Sequence, residues 1–240
     1  MKLTLHKAGS RGHANHGWLN TWHTFSFANY YNPNRMHFGA LRVLNDDTVQ
    51  AGMGFGMHPH DNMEIITLVL EGKLEHRDSM GNGSVIGSGE VQVMSAGTGV
   101  QHSEFCHSKT EGVKLLQIWV FPDTKNVEPR YDQARLFDNL PMNDQWRLVV
   151  SPDGDQQSLR SHQQAWFSLG SFRNGSVAEL KLQQPGNGIY LFIISGSIVL
   201  GEETLSKRDG LGIENIENGI SFQIVEDTQI LAMEVPVNIR

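Results

Sequence analysis

The chain has little of several things, and each scarcity narrows its class. Cys106 is the single cysteine of 240 residues, so no internal disulfide forms, which fits a reducing compartment. No apolar run approaches the roughly 20 residues needed to cross a bilayer. The opening Met1-Lys2-Leu3-Thr4-Leu5-His6-Lys7 lacks the apolar stretch of a secretion signal. Nor is there a run of Lys or Arg of the kind that tracks phosphates: 19 basic residues face 26 acidic ones, for a formal charge of -7. Together these predict a soluble cytoplasmic protein with no membrane partner and no direct nucleic-acid contact. Long apolar interface patterning is also missing, and a monomer is expected. Cys106 itself is read as a small packed side chain rather than a reactive thiol.

Helical periodicity is scarce, whereas short β-branched and aromatic runs are abundant. Ile65-Ile66-Thr67-Leu68-Val69-Leu70, Val91-Gln92-Val93-Met94, Leu115-Leu116-Gln117-Ile118-Trp119-Val120 and Ile189-Tyr190-Leu191-Phe192-Ile193-Ile194 read as strands. Turn signals punctuate them at Glu71-Gly72, Gly81-Asn82-Gly83, Ser88-Gly89, Ser195-Gly196 and Asp209-Gly210. The fold expected is all-β. A faint internal repeat, with Leu70-Glu71-Gly72 echoed by Ile194-Ser195-Gly196, predicts two similar β-barrels or jelly rolls. The division is placed at 1–125 and 126–240. The polar stretch from Pro122 to Pro152, with Pro129 and Pro141, is expected to carry the crossover.

The chemistry lies in His58-Pro-His60 and His102-Ser-Glu104. Alternate residues of a strand face one way, so each pair spaced i, i+2 aims both side chains into one cavity. Three imidazoles and one carboxylate then meet at a single ion. Iron, manganese, nickel, copper and zinc accept that mixed donor set, whereas magnesium and calcium prefer oxygen alone. The competing reading is four polar side chains satisfied by hydrogen bonds inside a barrel; the coincidence of both spacings favours metal. Ten of the 11 histidines fall at or before His107. If Gly196 matches Gly72, Leu182 and Gln184 stand where His58 and His60 would be, so the second barrel is expected to lack the site.

Around these pairs run Gly52-x5-His58-x-His60-x3-Glu64-x7-Gly72 and Gly89-x5-Ser95-x-Gly97-x4-His102-x-Glu104, which resemble the two motifs of the cupin superfamily. Ser95 replaces a common proline, and two extra residues precede His102. Met94-Ser95-Ala96-Gly97-Thr98-Gly99-Val100-Gln101-His102-Ser103-Glu104 resembles the second motif of the pirin family in particular. So do Arg11-Gly12-His13-Ala14-Asn15-His16-Gly17-Trp18-Leu19, Trp22-His23-Thr24-Phe25-Ser26-Phe27 and Ala40-Leu41-Arg42-Val43-Leu44-Asn45-Asp46-Asp47. The resemblance implies a bicupin with a metal site only in the first barrel. One divalent transition metal, Fe2+ first and Mn, Ni, Cu or Zn as alternatives, would be held by His58, His60, His102 and Glu104. Several bacterial members are similar to quercetin 2,3-dioxygenases. The implied activity is therefore cleavage of a small planar aromatic substrate, a flavonol, with O2 and loss of carbon monoxide. Glu104 would serve both as ligand and as the general base for the flavonol hydroxyl.

Two other functions compete: a metal- and redox-sensing regulator that binds a protein partner, and a non-redox metal cupin acting on a small metabolite. Glu64 is read as a residue behind the ligands or a solvent-facing strand carboxylate, with a fifth ligand or a base as the alternative. His13, His16 and His23 are read as loop residues that are solvated or locally bonded, with a place at the cavity mouth as the alternative. His76, His107 and His162 are read as surface residues. Trp18, Trp22, Phe25, Phe27, Tyr30 and Tyr31 are read as packing that covers the barrel, with stacking on a planar ligand as the alternative.

Overall fold

The structure, a computed structural model, describes residues 1–135 and 142–239; Pro141 lies outside them. Strands dominate, and the helices among the described residues are two short 3-10 turns, Ala8–Ser10 and Asp155–Gln157. In the first barrel a seven-stranded sheet runs in the spatial order β12 (Arg130–Arg135), β9 (Glu90–Ser95), β6 (Glu64–Glu71), β11 (Val113–Val120), β4 (Leu41–Val49), β3 (Leu19–His23) and β2 (Gly12–Asn15). A four-stranded sheet packs on it: β5 (Gly54–His60), β10 (Val100–Cys106), β7 (Lys73–Asp78) and β8 (Gly83–Gly87).

The second barrel repeats this strand order, except that its edge strand β14 (Leu159–Arg160) runs parallel to β13 (Gln145–Ser151) where β2 runs antiparallel to β3. Its seven-stranded sheet is β1 (Lys2–His6), β20 (Gly210–Glu214), β17 (Asn187–Ser195), β22 (Thr228–Pro236), β15 (Trp166–Phe172), β13 (Gln145–Ser151) and β14 (Leu159–Arg160). Its four-stranded sheet is β16 (Val177–Lys181), β21 (Gly219–Ile224), β18 (Ser197–Leu200) and β19 (Glu203–Ser206). The all-β, two-barrel architecture expected of the sequence is the one observed. Each barrel is completed across the expected division: the amino-terminal β1 pairs with β20, and β12, from the stretch after Pro122, pairs with β9.

The repeat register is set by two turns. Gly72 joins β6 to β7 at φ +79°, and Gly196 joins β17 to β18 at φ +82°, the left-handed region where a Cβ is disfavoured. Counting from them, Leu74 pairs with Cys106 and Ile198 pairs with Ile224, two residues past each glycine. Cys106 therefore corresponds to Ile224, Glu104 to Phe222 and His102 to Ile220.

Strand patterning explains the layers. In β17, Ile189, Leu191 and Ile193 point into the second barrel's core, while Tyr190, Phe192 and Ile194 point the other way. That second face joins Ile66, Leu68, Leu116 and Ile118 of the first barrel, so the two large sheets bury a shared apolar layer between the barrels. Each fully buried side chain of this size contributes about 1.5–3 kcal/mol. In β6 the opposite face reads Ile65, Thr67, Val69, and a hydroxyl stands where its counterpart has Leu191. There the first barrel's interior becomes polar.

Candidate metal centre

β5 and β10 run antiparallel with His102 directly opposite His58. Between His102 and Glu104 the register slips: Glu104 pairs with Phe55, so two steps on β10 match three on β5. Such bulges bend a strand pair and recur beside active sites. The Pro-containing β5 lies at the edge of its sheet, where the N–H that Pro59 lacks interrupts no interior ladder.

The structure brings His58, His60 and His102 together, one ring nitrogen from each lying within 4.8 Å of the others. His60 Nε2 and His102 Nε2 are 3.0 Å apart. His58 Nδ1 lies 2.8 Å from the Gly56 carbonyl oxygen, an acceptor only, so that nitrogen carries the proton and Nε2 keeps its lone pair. Burial, reinforced by the neighbouring imidazoles, lowers the pKa of His60 to about 4 and that of His102 further. Both rings are neutral at pH 7, the form that donates to a metal. The donor chemistry thus fits a divalent first-row ion.

Glu104, 3% exposed, joins this group through His102: a second triplet within 4.8 Å consists of His76, His102 and Glu104. Its carboxylate accepts hydrogen bonds from Gln117 Nε2 at 2.8 Å and Thr67 Oγ1 at 3.3 Å. Burial pushes its pKa up to about 7; the Thr67, Gln92 and Gln117 hydrogen bonds oppose that rise, and the nearby Asp47 adds to it.

Beneath Glu104 a polar row crosses the large sheet. In register stand His23, Asn45, Gln117, Thr67 and Gln92 on β3, β4, β11, β6 and β9. His23 Nδ1 is 2.9 Å from the Asn45 amide oxygen, and Gln92 Nε2 donates to Thr67 Oγ1 at 3.4 Å. His23, Asn45 and Gln117 of this row line a cavity of about 580 Å³ whose lining also includes His58, His60, His102, Glu104, Asp47 and the rings of Trp18, Phe27, Phe55 and Trp119.

His76, read from sequence as a surface residue, is fully buried. Its Nε2 donates to Asp78 at 3.1 Å, its ring stacks on Tyr131, and it lies 5.4 Å from the His102 ring. It has no i, i+2 histidine partner because its neighbours come from β10 and β12. Glu64 is buried, so its solvent-facing reading fails; it belongs to neither triplet. It accepts from Ser95 Oγ at 2.8 Å and from the His162 backbone N–H at 3.1 Å. His162 is half-buried and His107 exposed. His16 and His23 line the cavity, whereas His13 stacks on Trp22 outside it. Of the aromatic set, Trp18 and Phe27 line the cavity, Phe25 belongs to the core and Tyr31 is exposed. Cys106 is buried, as its reading as a packed side chain required.

Sequence reasoning missed Asn45, Asp47, Gln117 and Trp119. The signal was available in polar residues at alternate positions of otherwise apolar strands, as in Leu44-Asn45-Asp46-Asp47 and Leu116-Gln117-Ile118. In the second barrel, β21 pairs Ile220 with Leu180, so Leu180 rather than Leu182 stands opposite the His102 position. Five residues link β16 to β17 where three link β5 to β6, which accounts for the two-residue shift. The positions of His102 and Glu104 are taken by Ile220 and Phe222, both in an apolar core.

No helix among the described residues is long and apolar enough to cross a membrane. Residues 4–120 match the Pirin family, and residues 148–235 match the quercetinase C-terminal cupin domain. The chain is 46% identical over 238 residues to the quercetin 2,3-dioxygenase of Escherichia coli strain K12, covering 98% of this chain and 99% of that one. It is 36% identical over 230 residues to a pirin-like protein of Caulobacter vibrioides, covering 93% and 95%. The crystal structure of the bacterial pirin YhhW from Escherichia coli in complex with nickel(II) superposes with a TM-score of 0.92 at 43% identity, covering 99% of this chain and 100% of that one. With its two cupin barrels and a cluster of histidines and a carboxylate in the first, the chain belongs to the pirin family.

Proposed function

We propose that the chain is a metal-dependent dioxygenase that opens the ring of flavonols such as quercetin with O2, its metal, Fe2+ first, held by His58, His60, His102 and Glu104. The observation that carries this reading is the convergence of three imidazoles, with a buried carboxylate beside them, at the wall of a cavity that also presents four aromatic rings. When bound, such a metal supplies Lewis acidity toward a vicinal hydroxyl and carbonyl pair and an electron route toward O2.

The remaining roles fall to side chains. Glu104, buried beside the imidazoles, would receive the hydroxyl proton of the flavonol. Gln117 and Thr67 orient that carboxylate from below, and the Gly56 carbonyl fixes the His58 tautomer. Trp18, Phe27, Phe55 and Trp119 provide apolar walls for a planar ring system and exclude water from it.

The test is elemental analysis of protein purified without added metal, followed by oxygen uptake with quercetin on the same sample. Near-stoichiometric transition metal with uptake supports the proposal. Metal without uptake transfers the site to a sensing or non-redox role, and absence of metal after reconstitution removes it altogether.

A further inference from the structure

One titratable group in the cavity has no part in the chemistry above. Asp47 lies on β4, two residues beyond Asn45, so it faces the same way one pleat repeat from the polar row, about 7 Å along the strand. Its register partners are Thr21 on β3 and Leu115 on β11. The Thr21 hydroxyl hydrogen-bonds the carboxyl, but Oδ1 is buried in the cavity lining with no partner among the described residues. Beyond it the cavity turns apolar through Leu19, Trp18 and Phe55, the two rings 5.1 Å apart and edge to face. Asp47 therefore marks the boundary between the donor cluster and an aromatic slot.

A buried carboxyl oxygen without a partner is costly to retain, and none of the described residues satisfies it. Burial raises its pKa to about 7, which keeps much of it neutral near neutrality. Ionised, Oδ1 accepts a hydrogen bond; carrying the proton it donates one, and a ligand hydroxyl can pair with it either way.

We propose that Asp47 is a substrate-selecting residue: its Oδ1 accepts a hydrogen bond from a ring hydroxyl of the bound ligand remote from the metal-facing oxygens, so that the cavity prefers polyhydroxylated flavonols to bare ones. This rests on the flavonol reading above and adds a specificity determinant to it. A slot of aromatic walls alone holds any planar ring; a buried acceptor left unpaired by the wrong ligand discriminates among them.

The test compares two probes on metal-loaded protein. Quercetin carries hydroxyls on both ring systems, whereas 3-hydroxyflavone keeps only the hydroxyl beside the carbonyl. For Asp47→Leu, quercetin binding weakens about tenfold and its KM rises, while 3-hydroxyflavone binding changes less than about twofold. Asp47→Asn, which keeps an acceptor oxygen, restores most of the preference. Asp47→Ala gives the same comparison if the leucine does not fit. Thermal unfolding of Asp47→Leu at or above the wild-type temperature is also expected, since an unsatisfied buried group is removed; a carboxyl with a merely structural role would lower it. Equal loss for both probes, or unchanged quercetin binding because water satisfies Oδ1, overturns the inference and leaves the proposed function intact. A metal-loaded wild type that binds neither probe overturns the proposed function and the inference with it.

Discussion

The two barrels share strand order, turn glycines and register, yet the same row of the large sheet reads His23, Asn45, Gln117, Thr67, Gln92 in the first and Leu148, Ser168, Ala232, Leu191, Leu211 in the second. Above that row stand His102 and Glu104 in one barrel, Ile220 and Phe222 in the other. One backbone thus supports either a polar cavity or a packed core, and the choice is made by side chains at alternate positions of a few strands. The first barrel gives up apolar packing to hold groups that burial makes costly: Glu104 and Asp47 with raised pKa values, and unpartnered atoms at His76, Gln92 and His102. In the second barrel Ile220 and Phe222 pack instead into an apolar cluster with Leu191, Leu211 and Ala232. The polar groups gather in the first barrel while the matching positions of the second are given to apolar packing, the expected pattern when a site demands groups that a core rejects.

The sharpest way to break this comparison is to empty each barrel in turn. His58→Ala or His102→Ala in the first is expected to abolish bound metal and turnover together while the fold persists; stoichiometric metal in both variants, measured by elemental analysis, would remove the ligand assignment. Phe222→Ala, at the position matching Glu104, is expected to cost about 3–5 kcal/mol of stability by opening a cavity, with metal content per folded chain unchanged. Denaturant unfolding reads the first effect, and a matching fall in metal would mean that the barrels are coupled more tightly than their separate interiors suggest.

The next effect is in pH dependence. Burial raises the pKa of Glu64 from 4.5 to about 7, against the hydrogen bonds from Ser95 and the His162 backbone. Because the folded state holds this proton more tightly than the unfolded one, its contribution is complete below about pH 4.5 and is lost as pH rises through about 7. Glu64→Gln should flatten the stability curve over that window by on the order of 1–3 kcal/mol. An unchanged curve from chemical denaturation at several pH values would place the titration elsewhere. The smallest effect is expected from Gln117→Leu, which makes this position apolar, as Ala232 is in the second barrel, and removes the 2.8 Å donor to Glu104. Metal affinity should drop about tenfold. A competition titration with a chelator that finds no change would show that Glu104 needs no support from the sheet.

What was legible in the sequence was local. His58-x-His60 and His102-x-Glu104 reveal themselves because strand periodicity converts a two-residue spacing into a shared face, and Gly72 and Gly196 mark turns that only a flexible residue enters easily. His76 was misread because its partners, Asp78 apart, lie on strands distant in sequence, and a lone histidine in a polar strand looks the same whether it faces water or His102. The Leu182 and Gln184 alignment slipped for a related reason: the longer β16–β17 connection moves the register without leaving a signal in the repeat.

The sequence by itself therefore determined the strand-rich class, the two-barrel repeat and the two pairs His58/His60 and His102/Glu104 spaced to share a strand face, since each depends on periodicity and turn chemistry within a few residues. Only the tertiary structure decided that β1 and β12 complete the opposite barrels, that five strands align a polar row under Glu104, and that Asp47 Oδ1 lies buried in the cavity lining without a partner among the described residues. These depend on which strands become neighbours, and that is fixed by the packing of two large sheets against one shared core rather than by any one stretch of chain.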